Sequence, residues 1–160
     1  MVRKKGGVGK TVTTFNLAYA LASLGKRVLA VDFDSQGNLS TCMGIEDLRT
    51  EEKTIGHLMM AETDDEPVEA VDDFIQNNAG IDFISANVYL SAVDTKLRLE
   101  MGAEKMLSNI LEPLRDKYDY ILIDTAPTLG SLTINALAAA DSVIIPVNPQ
   151  LLAMMGLQDL

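Results

Sequence analysis

At 160 residues the chain is long enough for one domain with a real core and too short for two. Apolar residues make up 48% and charged residues 22%, the balance of a globular protein, and no apolar run approaches the ~20 residues that cross a bilayer. A net charge of −10 excludes the chain as a whole as an electrostatic partner of nucleic acid or an anionic membrane. A single cysteine, Cys42, and a single histidine, His57, exclude an intramolecular disulfide and a zinc site.

In chain order, "KKGGVGKT" (4–11) comes first, three lysines and three glycines in eight residues. Residues 11–24 follow, apolar nearly all round and ending at Gly25, which predicts a helix with a glycine stop. Short apolar runs at 27–33, 80–85, 118–124 and 141–147 predict buried parallel strands. The acidic stretch 62–73 predicts a solvated loop and helix start, and His57 a surface or helix-packing role. Residues 103–115 place Met106, Leu107, Ile110, Leu111 and Leu114 at helical spacing, with Pro113 expected to kink the last turn. Residues 129–139 predict a further helix. Strands alternating with helices imply one α/β domain over 1–160, a parallel sheet with helices on both faces.

The glycine stretch has the chemistry of a phosphate cradle. Converging backbone N–H groups followed by a helix N-terminus bind anions, and Gly6, Gly7 and Gly9 permit the close wrap. Lys10 can reach terminal phosphates, and Thr11 offers a hydroxyl to Mg²⁺. The usual Gly-x₄-Gly-Lys-Ser/Thr spacing is not met, because Lys4 stands where the first glycine belongs. A basic, glycine-rich tail is the plain alternative. Two strand ends argue against it. "VLAVDFDSQGN" (28–38) carries Asp32 and Asp34, and "YILIDTAP" (120–127) carries Asp124. Ligands bind at the carboxyl ends of parallel strands, so these carboxylates belong at the same rim as the glycine loop. Each could instead cap the helix that follows it.

"KGGVGKT", "VDFDSQGN", "YDYILIDTAPTLGSLTINALAAADSVIIPV" and "LLAMMGL", in this order, resemble the ParA/Soj family of partitioning ATPases, within the MinD-like deviant Walker class of P-loop proteins. The resemblance implies a cytoplasmic ATPase with ATP and Mg²⁺ as cofactors. It matches Lys5 to the signature lysine that crosses an ATP-dependent homodimer to the partner's phosphates. The backbone of Gly6, Gly7, Val8, Gly9 and Val12 would line the phosphates, with Lys10 as the lysine acting within its own subunit. Thr11, Asp32 and Asp124 match the Mg²⁺ site, Asp34 the aspartate that orients the attacking water, and residues 125–130 the second switch. The implied partners are a ParB-like activating protein and non-specific DNA, with no membrane.

Three departures from the family stand out. Val12 replaces a threonine whose hydroxyl helps hold the α-phosphate, and Ser35 replaces a proline. "MVRK" stands where an apolar strand feeds the glycine loop, and family members run on well past "LLAMMGLQDL" into the part that carries the DNA-binding residues. The expected form is therefore a fragment lacking the usual first strand. The alternative function is a non-catalytic remnant that cannot close its nucleotide site.

Overall fold

The computed structural model describes residues 9–64, 70–100 and 102–147. In chain order the elements are α1 (Lys10–Ser23), β1 (Val28–Phe33), α2 (Asn38–Cys42), α3 (Ile55–Thr63), β2 (Gln76–Asn78), β3 (Ile81–Ile84), α4 (Leu90–Leu97), α5 (Met106–Leu111), β4 (Tyr120–Thr125) and α6 (Ser131–Ala139). The sheet order is β2-β3-β1-β4, with β1 parallel to both β3 and β4.

Strand β1 is buried along its whole length, and its alternation divides the molecule. Leu29, Val31 and Phe33 enter one apolar cluster with Leu58, Leu90, Leu107 and Leu132, from α3, α4, α5 and α6. Val28 and Ala30 enter the other, with Ala18 of α1 and Leu39 of α2. Successive side chains of a strand point to opposite faces, so helices cover both faces, as the uninterrupted apolar run predicts. On α1, Phe15, Ala18 and Ala22 lie at helical spacing and pack against the sheet. The helix ends at Gly25, whose φ of 77° lets Lys26 N–H return to Leu21 O at 3.1 Å.

Three of the four expected strands form, and the fourth does not. Residues 141–147 form no strand, and Val143, Ile144, Ile145 and Val147 are exposed. An apolar run becomes a strand only beside a hydrogen-bonding neighbour. Among the described residues β4 pairs only with β1, and 141–147 does not pair with its other edge. The sheet is also not wholly parallel. Gln76–Asn78 pairs antiparallel with β3 across Ala79 and Gly80, both at positive φ, in the manner of a two-residue hairpin. Polar Gln76, Asn77 and Asn78 carry no apolar signal, so β2 was not expected. The helix expected at 103–115 is interrupted. Tight 3₁₀ turns at Ala103–Lys105 and Glu112–Leu114 flank α5, and Pro113 is the second residue of the latter, near its start, where a missing N–H costs nothing. No described helix is long and apolar enough to cross a membrane.

Candidate functional site

The parallel register sets Asp32 directly beside Asp124, and Phe33 beside Thr125. Both carboxylates continue the side of the sheet that faces α1, because Asp32 alternates with Ala30 and Asp124 with Leu122. α1 begins at the same rim. Its N-cap, Gly9, has φ 87°, a left-handed turn that only glycine adopts freely. Lys10, Thr11 and Val12 form the first turn, where backbone N–H groups lack helical acceptors. Lys5, Gly6, Gly7 and Val8 lie outside the described residues.

Lys10 sits among carboxylates. Partial burial lowers its pKa from the usual lysine value, while the charges of Asp124 and Asp34 pull it back up. Burial likewise raises Asp124 above the usual carboxylate range; the Thr11 hydroxyl, Lys10 and Thr14 oppose this, and Asp34 adds to it. Thr14 Oγ1 lies 3.5 Å from Asp124 Oδ1 and also donates to Lys10 O at 3.2 Å. The second oxygen, Asp124 Oδ2, is buried and has no hydrogen-bond partner among the described residues. A buried carboxylate oxygen without a donor, near a threonine hydroxyl and a helix N-terminus, fits a divalent cation held between protein and phosphate oxygens.

Asp32 is arranged differently. Its Oδ2 accepts the backbone N–H and the hydroxyl of Ser40, at 2.8 and 2.7 Å, and its Oδ1 accepts Asp34 N–H at 3.2 Å. Both oxygens are engaged in holding the loop 34–40. Burial pushes Asp32 up to about 6, against the pull of the Ser40 and Asp34 hydrogen bonds. Asp34 is also buried, and its Oδ1 accepts Gln36 N–H at 3.0 Å, while its carbonyl accepts Gly37 N–H at 2.9 Å. The result is a tight turn that holds one acidic side chain close enough for its charge to act on Lys10.

The structure thus brings Lys10, Thr11, Asp32, Asp34 and Asp124 to one edge, as the strand ends predict. Val12 turns its side chain outward and is 62% exposed, so only its backbone belongs to the site. Sequence reasoning missed Thr14 and Ser40. The signal for Thr14 was its position one turn beyond Thr11 on the same helix face. For Ser40 there was none, since its contact depends on where α2 packs.

The sequence model of the family described as an AAA domain matches residues 1–160. The chain is 41% identical to the sporulation initiation inhibitor protein Soj of Bacillus subtilis, over 100% of this chain and 61% of that protein. It is 41% identical to the chromosome-partitioning ATPase Soj of Thermus thermophilus, over 100% of this chain and 58% of that one. Among solved structures, a cobyrinic acid a,c-diamide synthase from Mycobacterium smegmatis with bound ATP analog and magnesium superposes with a TM-score of 0.87 at 32% identity. That match covers 99% of this chain and 62% of the other. A plasmid partition protein from Borrelia burgdorferi bound to AMPPNP gives a TM-score of 0.77 at 29% identity, over 96% of this chain and 62% of that one. The chain spans 48% to 61% of the length of the curated relatives it matches. With a whole-chain match and the rim of lysine and carboxylates that its fold builds, the chain belongs to the AAA-domain family that includes the ParA/Soj-type partition ATPases.

Proposed function

We propose that this chain is the nucleotide-binding part of a ParA-type ATPase, which binds Mg·ATP at the N-terminus of α1, dimerises around it and hydrolyses it. The observation that carries the reading is the convergence, at that helix start, of Lys10, Asp34 and the Oδ2 of Asp124, which has no partner among the described residues. Lys10 and the first N–H groups of α1 bind the phosphates. Thr11 would hold Mg²⁺, with Asp32 and Asp124 holding it through water, and the ion would supply charge neutralisation on the phosphoryl oxygens. Asp32 keeps the 34–40 loop in place, and Asp34, at the head of that loop, orients the attacking water. Lys5 acts across the dimer. The reading carries with it a ParB-like activating partner, DNA bound outside these residues, and a cytoplasmic setting.

The exposed Val143, Ile144, Ile145 and Val147, and an edge of β4 that is unpaired among the described residues, favour a second reading, a remnant that does not close its nucleotide site. Titration of the chain with a fluorescent ATP analogue and Mg²⁺ separates the two. ATPase function predicts saturable binding that Lys10→Ala weakens by at least roughly tenfold, the loss of a hydrogen bond to a charged group. Equal affinity in wild type and variant, or no binding by either, overturns it.

A further inference from the structure

The loop 126–130 leaves the candidate site after Thr125 and enters α6, and little of the molecule packs against it. Pro127, Thr128 and Leu129 are exposed, Leu129 to 76%. Toward α4 the loop borders a cavity of about 110 Å³, walled by Ala126, Thr128 and Gly130 on one side and by Ser91 and Asp94 of α4 on the other. Segments with few apolar contacts open at low cost. Packing alone therefore leaves the course of this loop unfixed.

Its two ends are held. Asp124 and Thr125 pair with Asp32 and Phe33 of β1, and Gly130 O accepts Ile134 N–H at 3.0 Å as α6 begins. α6 itself is fastened to α5 by a buried amide. Asn135 Oδ1 accepts Leu107 N–H at 3.1 Å, and its Nδ2 donates to Ser131 O at 3.1 Å. Midway along the loop, Thr133 Oγ1 donates to Thr128 O at 2.5 Å, the short end of the range for a hydroxyl donor. A helical threonine ordinarily turns its hydroxyl onto a carbonyl one turn back in its own helix, as Thr14, Thr63 and Thr95 do. Thr133 reaches past that position, to a carbonyl outside α6.

We propose that Thr133 is a positioning residue for the proposed hydrolysis. Its hydroxyl pins the middle of the 126–130 loop to α6 and so fixes the backbone that runs on from Asp124. The effect on turnover rests on the ATPase reading; the pin itself does not. The competing explanation is that the hydroxyl only satisfies itself at a helix start, and the loop keeps its course without it.

Backbone ¹⁵N relaxation of the chain, measured without nucleotide, decides between them. In the wild type, Thr128 and Leu129 should show order parameters near the rigid level of about 0.85. Thr133→Val keeps the shape and removes the donor, and should lower both below about 0.6. Thr133→Ser keeps the donor and should hold them at the wild-type level. A wild-type loop already below about 0.6, or unchanged values in Thr133→Val, overturns the proposal. If Thr133→Val also loosens Val28–Phe33, Thr133→Ala, which puts no methyl in place of the hydroxyl, is read instead with the same expectation. In ATP turnover, Thr133→Val should lower kcat roughly three- to tenfold, the effect of one lost hydrogen bond. Its KM should stay within about threefold of wild type, because the phosphate contacts remain. Thr133→Ser should stay within about twofold in both. An unchanged or raised kcat, or a raised KM alone, removes Thr133 from positioning the reaction. A wild-type chain that binds no nucleotide sinks the ATPase reading, and the order parameters then decide the pin.

Discussion

Ser40 donates both its backbone N–H and its hydroxyl to one oxygen of Asp32, at 2.8 and 2.7 Å, and its hydroxyl oxygen accepts Ala86 N–H at 2.9 Å. One fully buried serine therefore ties the end of β1, the helix α2 and the loop leaving β3 into a single unit. Ser40→Ala removes a hydrogen bond to a charged group and strands the Ala86 donor. A loss of about 1.5–3 kcal/mol in unfolding free energy is expected from urea titration. A loss under about 0.5 kcal/mol, the level of an ordinary surface change, would show that the three segments are held by packing alone.

Gly37 closes the turn that begins at Asp34, with φ 63°. A Cβ there would meet Leu48 Cδ1 at 2.4 Å and the backbone oxygen of Ala86 at 2.9 Å. The leucine can move its flexible end; the carbonyl cannot. Gly37→Ala should cost about 1–2 kcal/mol for the left-handed backbone and a further ~1–3 kcal/mol for the forced contact. Thermal unfolding checks this, and a variant melting with the wild type would mean that the turn relaxes without cost.

Asp34 and Asp124 should separate binding from turnover. Asp124→Asn removes charge from the oxygen that lacks a partner among the described residues, so the gain in nucleotide affinity on adding Mg²⁺ should fall by roughly tenfold. Asp34→Asn keeps an acceptor for Gln36 N–H and should leave binding within about threefold of wild type. Its turnover should drop roughly 100-fold. Calorimetry with and without Mg²⁺, followed by single-turnover hydrolysis, measures both. The assignments are exchanged if Asp34→Asn loses the metal-dependent affinity and Asp124→Asn loses only rate.

His57 faces Thr54, with Nδ1 2.9 Å from Oγ1, and stacks on Tyr89 with ring centroids 4.6 Å apart. Burial lowers its pKa below the usual imidazole value, and the charge of Glu52 opposes this. A depressed imidazole favours the neutral form in the folded state. Its stabilising contribution is full above the ordinary value of about 6.5 and is lost as pH falls through the folded value. With one histidine in the chain, proton NMR follows a single ring, which should titrate below about 6.5. A midpoint at or above that value would contradict the packed, neutral ring.

Strand ends and helix starts were legible in the chain because their signals are local. Val28–Phe33 and Tyr120–Thr125 are short apolar runs with an aspartate as their next-to-last residue, and "GKT" opens an apolar stretch before Gly25. Parallel pairing then requires Asp32 and Asp124 to share an edge with Lys10. What the neighbours of each segment would be was not legible. The run at 141–147 has strand composition and no described partner, whereas Gln76–Asn78 lacks strand composition and pairs through its backbone with Ile81–Ile84. The roles of the carboxylates divided in the same way. Asp32, Asp34 and Asp124 are alike as residues in a sequence. Only packing supplies Ser40 to Asp32 and leaves one oxygen of Asp124, and one of Asp94, without a donor among the described residues. Local propensity decides where an element begins and ends. Hydrogen-bond partners drawn from distant segments decide what each buried charge is free to bind.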